Sequence, residues 1–157
     1  MKHGKIDMPY SAEILKKLRD QTNISVMACK KALDEVGGDY ERACEILRKE
    51  SELVAIKKSE RKTKAGIIDS YIHSNKKIGV LVELKSETDF VANTGEFQKL
   101  AHDIAMHIAA ANPQTIEELF SQEFIREPGM TIGDMLKGAM QKFGEKIEIS
   151  CFERFSL

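Results

Sequence analysis

The fold of this chain is decided by one apolar stretch near its middle, Ile78-Gly79-Val80-Leu81-Val82-Glu83-Leu84. Its aliphatic and β-branched residues predict a strand. Residues 67–73 show partial alternation of apolar and polar side chains, and residues 74–77 between the two runs have the composition of a turn. Two short strands joined by such a turn predict an antiparallel hairpin.

Helical spacing of apolar residues dominates the sequence after the hairpin. It predicts a helix over 97–108 that ends near Asn112-Pro113, a short helix over 116–124, and a helix that begins after Thr131 and stops at Gly144. Thr131 and Asp134 form a capping-box pattern with aspartate in place of the usual glutamate. A last strand is predicted over 146–155. Helices interleaved with a small antiparallel sheet predict an α+β domain.

The first 51 residues have a different pattern, which predicts three short helices. Ser11, Ser25 and Asp39 each precede an apolar helical stripe and can cap a helix N-terminus. The glycine pair Gly37-Gly38 can end the second helix, because glycine adopts left-handed dihedrals at little cost. We therefore expect a three-helix module over 1–51, a charged helix or linker over 52–65, and an α+β core over 66–157.

Composition and charge limit the kinds of partner that we expect this chain to bind. The 157 residues carry 24 basic and 25 acidic side chains and a net charge of −1, so we expect neither nucleic acid nor a membrane as a direct partner. No apolar run approaches the roughly 20 residues that span a bilayer, and the first residues lack the apolar core of a signal peptide. Three cysteines without a CxxC pair favour reduced thiols and a cytoplasmic protein.

The sequence lacks the common motifs of catalysis and cofactor binding. It contains neither GxxxxGK[ST] nor GxGxxG, so we expect no nucleotide cofactor. His102 and His107 are five residues apart rather than the four that place two metal ligands on one helical face, so we expect no metal. Glu87 and Asp89 could serve as an acid–base pair, but no nucleophile accompanies them. We expect a protein that is not an enzyme.

The segment Glu87-Thr88-Asp89-Phe90-Val91-Ala92 lies between the second strand and a helix. Phe90 could belong to the core, or the segment could be an exposed binding loop of the kind that rigid elements present. The segment resembles a signature of the bacterial elongation factor Ts family, in its short form. Further matching motifs follow in the family's order from about residue 11 to 157: the basic run before Gly66, residues 71–73, 78–84 and 103–110, and Phe152-Glu153-Arg154-Phe155. The chain departs from the family at Ala65, where an acidic residue is common, and at Ser150-Cys151, where a basic pair is common.

This resemblance implies a function and a set of contact residues. Family members promote GDP release from elongation factor Tu, and they begin with a module like the ubiquitin-associated fold. By resemblance, Thr88, Asp89, Phe90 and Val91 would disturb the partner's magnesium site, with Phe90 as an apolar wedge and Asp89 fixing the loop or pairing with a partner donor. Weaker assignments are Arg19, Val26 and Met27 as contacts of the helical module, and His73 and Gly79 as a second contact surface.

Three alternatives remain open at this level. The loop of residues 23–27 could close the core of the module or form a binding patch. The basic run of residues 57–64 could be a solvated face or a contact with an acidic protein surface. The whole chain could be an adaptor of the ubiquitin-associated type without exchange activity. The resemblance to short members of the family also implies a homodimer that holds two partner molecules.

Overall fold

The N-terminal part of the molecule is a three-helix module, as the sequence predicts. A computed structural model describes residues 9–157; residues 1–8, which the expected module includes, lie outside the described residues. The helices are α1 (Ala12–Thr22), α2 (Val26–Glu35) and α3 (Tyr40–Lys58). Ser11, Ser25 and Asp39 are their N-caps, and each side chain accepts a hydrogen bond from the backbone N–H three residues later. The module has its own buried core, which includes Leu18, Cys29, Leu33 and Leu47.

The rest of the chain is the predicted α+β domain. Its strands are β1 (Ala65–Ile72), β2 (Ile78–Ser86) and β3 (Glu148–Ser156), and its helices are α4 (Asp89–Ala92), α5 (Gly95–Ala111), α6 (Ile116–Ser121) and α7 (Ile132–Phe143). The strands form one antiparallel sheet in the order β1-β2-β3. The capping box at Thr131 and Asp134 is confirmed, and Gly144 ends α7 in the left-handed conformation. Helix α6 stops at Ser121, three residues before the predicted end. Phe124 lies in the loop that follows and is buried.

The two faces of the sheet have different environments. Strand β2 points Val80, Val82 and Leu84 into the main core, where α5 packs against β1 and β2. The opposite face is open in the described chain and carries large exposed apolar side chains: Ile68, Ile72, Leu81 and Phe155. Ile68 is 71% exposed and Phe155 is 67% exposed, although strands usually bury such residues. The sheet therefore has one packed face and one uncovered apolar face.

Gly66 permits the close pairing of β1 with β2. Its φ is +154°, and a Cβ at this position would lie 2.5 Å from the backbone oxygen of Leu84. Only glycine fits such an approach without moving the backbone. Ala65 is the first residue of the same strand.

The module packs directly against the α+β domain through α3 and α7. The expected boundary at residue 51 lies inside α3, which continues to Lys58 because no helix breaker occurs before that point. Ser51 is buried and its hydroxyl donates to Gln141 Oε1 at 2.5 Å, while Arg48 pairs with Asp134 at 3.3 Å. The connection between the two units is therefore the short stretch 59–64.

Gly138 of α7 allows the module to approach this closely. A Cβ on Gly138 would lie 2.9 Å from the backbone oxygen of Thr22, the last residue of α1. Any larger side chain would push the end of α1 away from α7.

Of the helices between residues 9 and 157, none combines the length and apolar character required to cross a membrane.

Candidate functional site

The signature segment forms a short capped helix at the end of β2. Thr88 is the N-cap of α4, and its Oγ1 accepts a hydrogen bond from the backbone N–H of Val91 at 3.4 Å. The Ser86 hydroxyl is buried and donates to the Thr88 backbone oxygen at 3.0 Å. A threonine cap and a buried serine therefore fix where the strand ends and the helical turn begins.

This turn exposes Phe90 and buries the residues after it. Phe90 is 84% exposed, whereas Val91 and Ala92 are 5% and 2% exposed and belong to the main core. The exposure of Phe90 excludes the alternative in which this ring is part of the core. Asp89 is also exposed, and its carboxylate makes no hydrogen bond or ion pair to any side chain of residues 9–157. Of the four predicted contact residues, Val91 thus supports the turn from inside, and Phe90 stands at the surface.

Two carboxylates clamp the segment to the loop that leads into β3. Glu145 Oε2 accepts the backbone N–H groups of Glu87 and Thr88, both at 3.1 Å, and its Oε1 accepts the Thr88 hydroxyl at 2.6 Å. In return, Glu87 Oε1 accepts the backbone N–H of Lys146 at 2.6 Å. Charge-assisted hydrogen bonds of this kind are the stronger ones in proteins.

Arg61 completes the clamp from the connecting stretch. Its guanidinium lies 3.3 Å from Glu87 Oε1. The Lys146 N–H, followed by the Arg61 contact, lowers the pKa of Glu87 below its ordinary value. The Lys146 N–H and Arg61 are therefore structural partners that favour the ionised form of the Glu87 carboxylate.

The role of Glu145 was not predicted from the sequence. This residue is separated from Thr88 by 57 positions, and no local pattern connects them. The available signal was its position directly after Gly144, the glycine that ends α7. A carboxylate placed next to a tight helix end is held in a defined orientation, but its partner becomes visible only in the folded chain.

The module contact residues lie around the turn between α1 and α2. Arg19 is exposed near the end of α1, and Val26 and Met27 are 43% and 75% exposed in the first turn of α2. Ile24 of the same loop is buried. Ile24 therefore closes the core of the module and Met27 lies at the surface, and a role of this loop as a binding patch stays a prediction.

The hairpin pair lies at the opposite end of β2 from Phe90. The backbone N–H of His73 donates to the Ile78 oxygen at 2.9 Å, and its Nδ1 lies 3.3 Å from the Tyr71 hydroxyl. Gly79 pairs with Ile72 on one side and Phe155 on the other. Because a strand rises about 3.3 Å per residue, the length of β2 separates Gly79 from Ser86 by roughly 23 Å. The structure thus brings Thr88, Asp89 and Phe90 together but keeps the hairpin pair apart from them.

The exposed aromatic ring of Phe90 on a firmly held turn is the candidate contact surface of this site. Aromatic side chains are enriched at the energetic centres of protein interfaces. No group of three or more His, Cys, Asp or Glu side chains in the described chain is arranged to hold a metal ion. The class of protein that this fold defines is a two-part protein, in which a helical module packs against an α+β domain that presents an exposed aromatic side chain.

Comparison with known proteins gives the family. The family model described as "Elongation factor TS" matches residues 11–117 and 87–157. Elongation factor Ts of Thermosipho melanesiensis is 39% identical, over 94% of this chain and 98% of that relative. The protein of the same name from Pseudothermotoga lettingae is 43% identical, over 89% of this chain and 78% of that relative. The chain belongs to the elongation factor Ts family of translation elongation factors.

Proposed function

We propose that this protein is a guanine-nucleotide exchange factor that promotes GDP release from elongation factor Tu. The observation that carries the proposal is the 84% exposure of Phe90 on a turn that Glu145 holds in place, within a chain of the elongation factor Ts family. A ring that is already exposed and positioned can enter a partner without the cost of rearranging its own fold.

The proposed mechanism forms and breaks no covalent bond. Phe90 inserts between elements of the GTPase, and Asp89 fixes the inserted turn or accepts a hydrogen bond from a partner donor. This insertion displaces the magnesium ion that screens the phosphate charges of GDP, so that the nucleotide is held less tightly. Thr88 caps the turn and Val91 anchors it in the core, while Arg19, Val26 and Met27 hold the helical module on the partner. His73 and Gly79 form a second contact area.

Exchange of this kind requires negative coupling between two ligands of the GTPase. The factor must bind the nucleotide-free partner more tightly than the loaded one. By linkage, nucleotide weakens binding of the factor to the same extent. Each ligand therefore helps to release the other, and the factor can act repeatedly. Because translation takes place there, the proposal puts the protein in the cytoplasm.

We also propose a homodimer that holds two partner molecules. The uncovered sheet face supports this proposal, because it presents Ile68, Leu81 and Phe155 on adjacent antiparallel strands. Two copies that stack these faces would remove that apolar surface from water. Light scattering should then give twice the mass of one chain, and Ile68→Lys with Phe155→Lys should reduce it to one chain.

The decisive experiment measures release of fluorescently labelled GDP from purified elongation factor Tu, with and without this protein. Substoichiometric protein should accelerate release and turn over. The alternative, an adaptor without exchange activity, would bind elongation factor Tu and leave the release rate unchanged. Resemblance of the module to the ubiquitin-associated fold stays a prediction, which comparison of α1–α3 with such domains can test.

A further inference from the structure

The end of α3 and the connecting stretch that follows it concentrate positive charge. Residues 57–64 contain five basic side chains and one acidic side chain, although the whole chain has a net charge of −1. Lys57, Lys62 and Lys64 are exposed, and they form no ion pair within residues 9–157. The remainder of the molecule is therefore net acidic, and the charge distribution is strongly asymmetric.

The same stretch contacts the two segments that hold the turn of Phe90. Arg61 pairs with Glu87 at 3.3 Å, and the Lys58 ammonium donates to the backbone oxygen of Gly144 at 2.5 Å. Gly144 directly precedes Glu145, the carboxylate that holds Thr88. Arg61 thus connects this stretch to Glu87, and Lys58 connects it to the loop of Glu145. The three other lysines remain available on a segment whose position is fixed relative to the exposed ring.

The surroundings favour a protein partner over a nucleic acid. Leu53 and Ile56, on the same part of α3 as Lys57, are 58% and 68% exposed, which adds an aliphatic component. Carboxylates also occur within and beside the stretch: Glu60 is exposed, and Glu148 accepts the hydroxyl of Thr63. A continuous row of phosphates would be repelled by these carboxylates, whereas a protein surface can offer separate carboxylates and apolar side chains.

We infer that Lys57, Lys62 and Lys64 form an electrostatic docking surface for an acidic face of the GTPase partner, on the stretch that Arg61 ties to the segment of Phe90. The inference rests on the proposed function for the identity of that partner. The lysines attract the partner over a Debye length, about 10 Å at 0.1 M salt, and orient it before the ring makes contact. Steering of this kind raises association rates by 10- to 1,000-fold and weakens as salt increases.

The test compares two variants of equal charge. The first carries Lys57→Gln, Lys62→Gln and Lys64→Gln; the control carries Lys16→Gln, Lys49→Gln and Lys76→Gln, three exposed lysines on α1, on an earlier turn of α3 and in the turn between β1 and β2. Association with nucleotide-free elongation factor Tu is measured by stopped flow between 20 and roughly 500 mM salt, where screening spans its useful range. Thermal unfolding checks both variants, and a Lys62→Gln, Lys64→Gln variant avoids any change in α3.

We expect the first variant to associate about tenfold more slowly at low salt, with a flatter salt dependence, and to match the unaltered protein at high salt. The control should change by less than about twofold. Equal slowing of both variants would overturn the inference, because net charge alone would then explain the effect. Normal association combined with lost binding to a labelled single-stranded RNA would also overturn it.

The same assay separates failure of the inference from failure of the proposed function. If the unaltered protein associates in a salt-dependent manner that needs these lysines but does not accelerate GDP release, the docking surface stands and the exchange function fails. If release is accelerated and the lysines have no effect on association, the exchange function stands and the docking surface fails.

Discussion

Glu87 and Glu145 hold each other's segments through the backbone. Glu145 Oε2 accepts the Glu87 N–H at 3.1 Å, and Glu87 Oε1 accepts the N–H of Lys146, the neighbour of Glu145, at 2.6 Å. Two like charges lie close together in this arrangement, and backbone N–H dipoles and Arg61 compensate for them. These hydrogen bonds connect the segment after β2 to the segment before β3. The exposed ring of Phe90 belongs to the turn that they hold in place.

The first prediction concerns the cap of the signature turn. Thr88→Val keeps the shape of the side chain but removes the hydroxyl that caps α4 and donates to Glu145. We expect a loss of stability of about 0.5–2 kcal/mol, and a fall in GDP release at saturating protein because Phe90 is no longer held. The matched control is Thr115→Val, which removes the equivalent cap of α6. Both should lower the melting temperature; if both also retain full exchange, the clamp has no functional role.

The second prediction concerns the exposed ring. Phe90→Ala should change the free energy of unfolding by no more than about 0.5 kcal/mol, because the side chain is 84% exposed. Truncation of an interface aromatic commonly costs about 2–4 kcal/mol, so GDP release should slow by roughly 30- to 800-fold if that energy is realised in the release transition state.

Phe97→Ala is the control for this ring. Phe97 is fully buried, so its truncation should cost about 3–5 kcal/mol of stability. Stopped-flow GDP release and chemical denaturation, applied to both variants, distinguish the two roles. A Phe90→Ala variant with normal exchange would exclude the ring as the wedge.

The third prediction concerns the pH dependence of the clamp. The Lys146 N–H and Arg61 lower the pKa of Glu87 in the folded state. The unfolded chain therefore takes up the proton first as pH falls, and the stabilisation present at neutral pH is lost on acidification below the ordinary carboxyl pKa of about 4.3. Glu87→Gln should be less stable than the unaltered protein at pH 7, by about 1 kcal/mol at most for a partly exposed group, and nearly equal to it near pH 3.

Urea denaturation at both pH values checks this prediction. The control is Glu117→Gln, which makes the same charge change on α6 and removes no hydrogen bond among the described residues. A Glu87→Gln deficit that persists unchanged at low pH would mean that the ionised form of Glu87 contributes nothing to the clamp.

The fourth prediction concerns the buried histidine of α5. His107 is 1% exposed; its Nε2 lies 3.0 Å from Gln122 Oε1, and its Nδ1 accepts the N–H of Ile125 at 3.4 Å. Burial lowers the pKa of His107. The unfolded histidine then binds a proton near pH 6.5 while the folded one does not, so stability should fall as pH decreases below about 6.5, by at most 1.36 kcal/mol per pH unit.

His107→Gln should flatten this slope between pH 7 and about 5, whatever its effect on absolute stability. His73→Gln, which leaves the α5 site intact, is the control. Denaturation curves at half-unit pH steps measure both slopes. Equal slopes in the unaltered protein and His107→Gln would assign the pH dependence to other groups.

The fifth prediction separates affinity from release. Met27 is 75% exposed in the helical module, away from the turn of Phe90. Met27→Ala should raise the concentration needed for half-maximal exchange and leave the rate at saturation within about twofold, because a contact that is equal before and after release changes only binding. A fall in the saturated rate alone would assign Met27 to the release step.

The sequence by itself determined the order of elements, because the signals involved are local. The caps at Ser11, Ser25, Asp39 and Thr131, the glycine stop at residue 144, and the apolar run of β2 each depend on a few neighbouring residues. The resemblance of residues 87–92 to a family signature is local in the same sense, and the comparisons confirm the family.

Only the tertiary structure decided which of these residues face solvent and which residues support them. Phe90 and Val91 are adjacent and both apolar, yet one is exposed and the other buried, because the cap at Thr88 sets the rotation of α4 over the core. Glu145 reaches Thr88 across 57 positions, and the packing of α3 against α7 buries Ser51. Such contacts depend on how segments that are far apart in the sequence pack together. No local pattern in a single sequence shows which of these segments will meet.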